Sequence, residues 1–165
     1  MTRRDWLGML SGIGLAGSAS AQRKTDAAAG PAAKIEPLVL TDAQWKQRLT
    51  PAQYHVLREE GTERAGTSPL NDEKRKGTFN CAGCDLALFT SEMKFDSGTG
   101  WPSFFTTLPG AVATKRDFKL ILPRTEYHCA RCGGHQGHVF DDGPRPTGLR
   151  YCNNGVALKF VPAAA

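Results

Sequence analysis

Four of the five cysteines fall into two Cys-x-x-Cys pairs, Cys81/Cys84 in CAGC and Cys129/Cys132 in CARC, and Cys152 is left over. Two such knuckles converging on one ion make the tetrathiolate pattern of a structural zinc site, which accounts for both spacings together. Two disulfides and a free thiol are the competing arrangement, relevant because the N-terminus reads as an export signal. The odd cysteine is the candidate nucleophile. Arg150 stands two residues before it, on the same face if the segment is a strand, where a guanidinium stabilises a thiolate. His135 and His138 of GGHQGH are near in sequence, and Asn153 and Asn154 follow it. A lone cysteine is more often a buried, inert packing residue, and that reading stands beside the catalytic one.

His135 and His138 are three positions apart. On a helix they would share a face and compete as metal ligands. Gly133, Gly134 and Gly137 surround them, however, and Val139-Phe140 favours a strand. Strand residues three apart point to opposite faces, so a bulge or turn is required before both can converge; otherwise they are two polar loop histidines. Trp101, between the turn SGTG and Pro102, fits a cleft mouth as well as a core. His55 reads as a surface or packing histidine.

The elements that must position these groups are short. A length of 165 residues suits one domain, and 18 glycines with 10 prolines favour short strands joined by tight turns over a helical bundle. The net charge of +5 is dispersed apart from Lys74-Arg75-Lys76, so no nucleic-acid partner is expected. Residues 1–21 have a paired arginine, an apolar stretch too short to span a bilayer and an Ala-Ser-Ala cleavage site. They read as a cleavable twin-arginine-like signal, implying periplasmic export and no stable membrane insertion once it is removed. Its removal takes away two Arg and one Asp and lowers the net charge from +5 to +4. Residues 22–37 read as a disordered linker and 38–165 as the folded domain.

Two short helices should open that domain. Thr41 and Gln44 form a capping box, Trp45 and Leu49 an apolar pair, and Thr50-Pro51 restarts a helix that Gly61 is placed to end. Tyr54, Val56 and Leu57 supply its buried side. The polar loop of residues 61–76 reads as a solvated surface or one wall of a cleft. Short strands are then expected at 78–80, 86–89, 94–96, 111–113, 118–122 and 124–127, with a last run over 149–160 broken near Asn153-Asn154-Gly155. The two knuckles should meet in space and clip the sheet from outside.

The segments GTFNCAGCDLALF, KFDSGTGWPSF, YHCARCGGHQGHVFDDGPRPTGLRYCNN and VALKF occur in the order found in the B-type methionine sulfoxide reductases, and the resemblance spans Leu38 to Pro162. It implies a mainly β fold, two antiparallel sheets with short N-terminal helices and a zinc clip made by four cysteines. It implies reduction of the R epimer of methionine sulfoxide in proteins, with Cys152 as nucleophile passing through a sulfenic acid. His135, His138 and Asn154 match residues on the sulfoxide-oxygen side, Trp101 the indole that receives the methyl group, and Cys81, Cys84, Cys129 and Cys132 the structural zinc ligands. Arg150 is placed with Trp101 on the substrate side.

Many relatives carry a further cysteine that resolves the sulfenic acid. This chain has none free if four bind zinc, so an external thiol or thioredoxin-like reductant is expected, acting on a monomer. Gln136 and Asn153 stand where more apolar residues are expected. A zinc-thiolate binding module and a glutathione-linked carbon-transfer enzyme of similar fold are the alternatives.

Overall fold

The computed structural model describes residues 35–118 and 123–164. The expected export signal, most of the linker and residues 119–122 of one expected strand therefore lie outside the described residues. Helix α1 (Asp42–Arg48) starts with Thr41 Oγ1 accepting from Gln44 N–H while Gln44 Oε1 accepts from Thr41 N–H at 2.8 Å. Helix α2 (Pro51–Glu59) repeats the device with Thr50 and Gln53. Each cap satisfies two N–H groups that the first helical turn leaves without partners. The residue that turns left-handed after α2 is Glu60 (φ 55), not Gly61. A Cβ on Gly61 would lie 2.3 Å from the His55 ring, which would have to turn aside. His55 itself is a surface residue, 2.8 Å from Glu59.

Among the described residues, nine strands form two antiparallel sheets. A three-stranded sheet has the order β2 (Ala87–Thr90), β1 (Gly77–Cys81), β9 (Leu158–Pro162). A six-stranded sheet has the order β3 (Lys94–Phe95), β4 (Ser103–Phe104), β8 (Arg150–Asn153), β7 (His135–Phe140), β6 (Arg124–Cys129), β5 (Val112–Asp117). The expected strand over 118–122 is not continued at its start, since β5 ends at Asp117 and Phe118 is exposed. Between β8 and β9 a 3-10 turn (Gly155–Ala157) carries the chain from one sheet to the other, the break anticipated at Asn153-Asn154-Gly155.

The sheets are joined by aromatic packing. Phe89 of β2 stacks on Phe104 of β4 at 3.9 Å, Phe79 of β1 meets Phe104 edge-on at 5.0 Å, and Phe89 meets Tyr127 of β6 edge-on at 6.3 Å. Trp45, Leu49, Val56 and Leu57 join this core from the helices. Each of the three aliphatic side chains contributes about 1.5–3 kcal/mol by leaving water. The helices also cover the knuckles. Arg48 Nε donates to Gly83 O (2.6 Å) and an Arg58 guanidinium N–H donates to Cys132 O (3.0 Å). The cysteine cluster is thus buried beside α1 and α2, whose arginines bond the knuckle carbonyls.

Candidate active site

One face of the six-stranded sheet packs into the core and the other carries the polar residues. Register fixes this. Ser103, Cys152, His138, Glu126 and Lys115 are successive cross-strand partners from β4 to β5 and so share the polar face. The alternate row, Phe104, Tyr151 and Val139, faces the core. Directly opposed side chains in such rows sit about 4.5–5.5 Å apart at Cβ, which sets Cys152 beside His138 without any loop having to close.

The bulge that the two-residue strand period demanded is present. Tyr127 pairs with Gly137 and His128 with His135, leaving Gln136 unpaired. That extra residue brings His135 onto the same face as His138, with ring centroids 5.5 Å apart. Gly137 is the other local requirement. It opposes Asn153 on β8, and a Cβ on it would lie 1.8 Å from the Cys152 carbonyl oxygen. The spacing His-x-Gly-His therefore encodes a bulge followed by a close strand approach.

Cys152 is half-buried and lines a cavity of about 190 Å³ with His138, Trp101, Asn154, Thr62, Phe140 and Arg124. Trp101 is at the cleft and not in the core. Its Nε1–H donates to Glu63 O at 3.1 Å, which fixes the indole against the 61–76 loop. That loop is indeed one wall. Glu63 N–H donates to Asn154 Oδ1 (3.0 Å), and the Glu63 carboxylate accepts from Gly155 N–H (2.5 Å) and Val156 N–H (3.0 Å). Asn154 also donates through Nδ2 to Gln136 O (3.0 Å), so its amide holds the wall to β7 while lining the cavity.

His135 is enclosed behind His138 and does not line the cavity. Its Nδ1 is 2.9 Å from Glu126 Oε1, near enough for an ion pair but without hydrogen-bond alignment. Glu126 is in turn 3.2 Å from Lys115 Nζ. His138 Nε2 lies 2.7 Å from Asp117 Oδ2, which also accepts from Arg124 at 2.6 Å. Burial pushes the His138 imidazole below its ordinary pKa, and the bond to Asp117 opposes that shift. Among neutral tautomers, the one with its proton on Nε2 satisfies Asp117 and leaves Nδ1 as the titrating atom.

Arg150 is only partly the thiolate partner expected of it. Its guanidinium makes two 2.8 Å bonds to Asp142 and stacks 4.4 Å over Phe140. It does draw the Cys152 thiol down, as does a hydrogen bond from Thr99, but burial is the larger effect and the thiol sits above its usual range. Desolvation of an anion on a packed sheet outweighs one guanidinium shared with a carboxylate.

Cys81, Cys84, Cys129 and Cys132 are all buried, and their sulfurs lie within 4.8 Å of one another. Two approaches run between the knuckles, Cys81 to Cys132 at 3.6 Å and Cys84 to Cys129 at 3.4 Å. Four sulfurs around a tetrahedral ion at about 2.3 Å stand about 3.8 Å apart, so the cluster has the size of a metal site. All five cysteines are free, against the disulfide alternative.

Asp117, Glu126, Glu63 and Thr99 are the site residues that sequence reasoning did not single out. Each is a charged or polar residue in a polar segment, and only the cross-strand register or a loop contact gives it a role.

The SelR domain family matches residues 49–162 of the chain. Among curated proteins, the chain is 56% identical over 123 residues to the peptide methionine sulfoxide reductase MsrB of Agrobacterium fabrum, covering 74% of this chain and 91% of that protein. It is 51% identical over 144 residues to the chloroplastic peptide methionine sulfoxide reductase B1 of Arabidopsis thaliana, covering 87% and 71%. Against the MsrB of Thiobacillus denitrificans identity is 54% over 123 residues, covering 74% and 93%. On that match over most of its length, the chain belongs to the SelR-domain family, the MsrB peptide methionine sulfoxide reductases.

Proposed function

We propose that this protein reduces methionine R-sulfoxide in oxidised proteins and peptides, with Cys152 as nucleophile, His138 as proton donor and Trp101 against the substrate methyl group. The observation that carries the reading is the pairing of Cys152 with His138 across β7 and β8, in a cavity walled by Trp101. A sulfoxide oxygen leaves only once protonated. An imidazole held in one orientation by Asp117 supplies that proton near neutral pH, typically for about two to four powers of ten in rate. His135 backs His138 within the same enclosed pair, and Asn154 and Arg150 hold the cavity wall and the nucleophile's strand.

The Cys152 sulfur attacks the sulfoxide sulfur. The S–O oxygen passes with its proton to Cys152, leaving methionine and a cysteine sulfenic acid. One external thiol then condenses with the sulfenic acid, releasing water and forming a mixed disulfide. A second thiol reduces that disulfide and regenerates Cys152. An external donor is required because the other four cysteines are gathered in the cluster. A thioredoxin-like protein is the reductant that fits, acting on a monomeric enzyme.

Zinc is the ion that suits four buried thiolates, and it supplies folding energy that the small domain otherwise lacks. Residues 1–21 direct export to the periplasm and are cleaved, leaving the linker 22–37 before the catalytic domain. The test is a single turnover without reductant on a methionine R-sulfoxide peptide. One methionine per chain and a trappable oxygen adduct on Cys152 are expected; a disulfide from Cys152 to any cluster cysteine would contradict both the external-thiol step and the intact cluster.

A further inference from the structure

Gln136 is the unpaired residue of the β7 bulge and is fully buried, at 0% exposure. An amide placed there without partners would cost about 1–3 kcal/mol, so its contacts bear on why a polar residue is present. Its Nε2 is 3.4 Å from Cys81 Sγ, on the other sheet. Its Oε1 is 3.4 Å from Asn153 Nδ2. Asn153 is likewise fully engaged: its Oδ1 accepts from Tyr127 OH at 2.6 Å and its Nδ2 also donates to Asn154 O at 2.8 Å.

This network determines the orientation of the Gln136 amide. Asn154 O can only accept, so the Asn153 Nδ2 group faces it and the same NH2 is the donor presented to Gln136. Flipping Gln136 would set two NH2 groups against each other and place an oxygen against Cys81. Only the observed orientation gives every atom a complementary neighbour. A metal-bound cysteine is a thiolate and can only accept. The Nε2–H is therefore aimed at a cluster sulfur, and a hydrogen bond to an anionic acceptor is stronger than a neutral one.

On the reading that the cluster holds zinc, we infer that Gln136 is a positioning residue of the metal site, its amide N–H stabilising the Cys81 thiolate and guarding that sulfur against oxidation. An N–H to a thiolate draws charge from the sulfur lone pairs and makes it a poorer nucleophile. The protection has a specific use here. Hydrogen peroxide converts a thiolate to a sulfenic acid with release of hydroxide, and a ligand so oxidised releases its metal. An enzyme whose own cycle oxidises Cys152 keeps its oxidation chemistry at that residue only if the cluster sulfurs react more slowly.

The experiment follows zinc release with a chromogenic chelator while wild type, Q136L, Q136M and Q136E are exposed to hydrogen peroxide, after zinc per chain has been measured in each. Leu and Met fill the space without a donor, and Glu sets an oxygen against the thiolate. Release roughly tenfold faster from Q136L and Q136M is expected, and faster still from Q136E, an order that a purely space-filling role would not produce. If wild type carries one zinc per chain and Q136L and Q136M release it at the wild-type rate, the inference is overturned while the zinc reading stands. A wild-type protein without zinc overturns both.

Discussion

Replacing Gly137 with alanine perturbs the site through the backbone alone. The added Cβ would sit 1.8 Å from the Cys152 carbonyl oxygen, whereas ordinary contacts of this kind begin at 3.4 Å. The difference, 3.4 less 1.8, requires β7 and β8 to part locally by about 1.6 Å. Those are the two strands whose register sets His138 beside Cys152. A displacement near 1 Å in a catalytic pair costs about a hundredfold in rate, and forced overpacking costs about 1–3 kcal/mol of stability. G137A should therefore lose about two powers of ten in kcat/KM on a methionine R-sulfoxide peptide, beyond any loss of folded fraction.

The control is G77A. Its Cβ would meet Val161 O at 2.3 Å in the three-stranded sheet, away from the nucleophile's strand pair. It should lose comparable stability with kcat/KM little changed once corrected for folded protein. Thermal unfolding and steady-state kinetics on both variants decide it. Wild-type kcat/KM in a folded G137A, or equal activity losses in the two variants, would refute the claim that the β7–β8 approach sets the catalytic geometry.

The remaining expectations concern charge and metal. In D117N the carboxylate that raises the His138 pKa is gone while burial still lowers it; the limb of the pH–rate profile on which His138 must be protonated should move to lower pH, with activity at pH 7 reduced. In R150M the guanidinium that draws the Cys152 thiol down is removed; alkylation of Cys152 by iodoacetamide at fixed pH should slow, and its onset should move to higher pH. Removing the metal with a strong chelator should unfold the domain, because structural zinc is worth about 10–16 kcal/mol in small peptides and whole domains are stable by only about 5–15; circular dichroism follows the loss, and readdition of zinc under reducing conditions should reverse it.

How far the site could be read in advance depended on whether its determinants were local. The Thr41 capping box, the restart at Thr50-Pro51 and the two knuckles are local patterns, and the helices and cluster follow them. The bulge between His135 and His138 was legible because two-residue alternation cannot place both on one face. The partners of those histidines were not. Asp117 falls between two expected strands and Glu126 within one, and neither strand alone gives a sign that Glu126 opposes His138. Glu63 looked like one charge in a polar loop, yet it ties that loop to the turn between β8 and β9. For Arg150 the direction was legible, since spacing puts a guanidinium near Cys152 that draws the thiol down, but burial, which spacing cannot report, has the larger effect. The end of α2 was placed one residue late, since Glu60 and not Gly61 takes the left-handed turn.

The central claim is that Cys152, placed by β8 against His138, performs the reduction. Its most direct test is turnover of a methionine R-sulfoxide peptide with dithiothreitol by the full-length wild-type protein and by C152S, with the S epimer as control. The account predicts steady production of methionine from the R epimer by wild type, none above background from C152S, and none from the S epimer by either protein. Equal rates for wild type and C152S would contradict it.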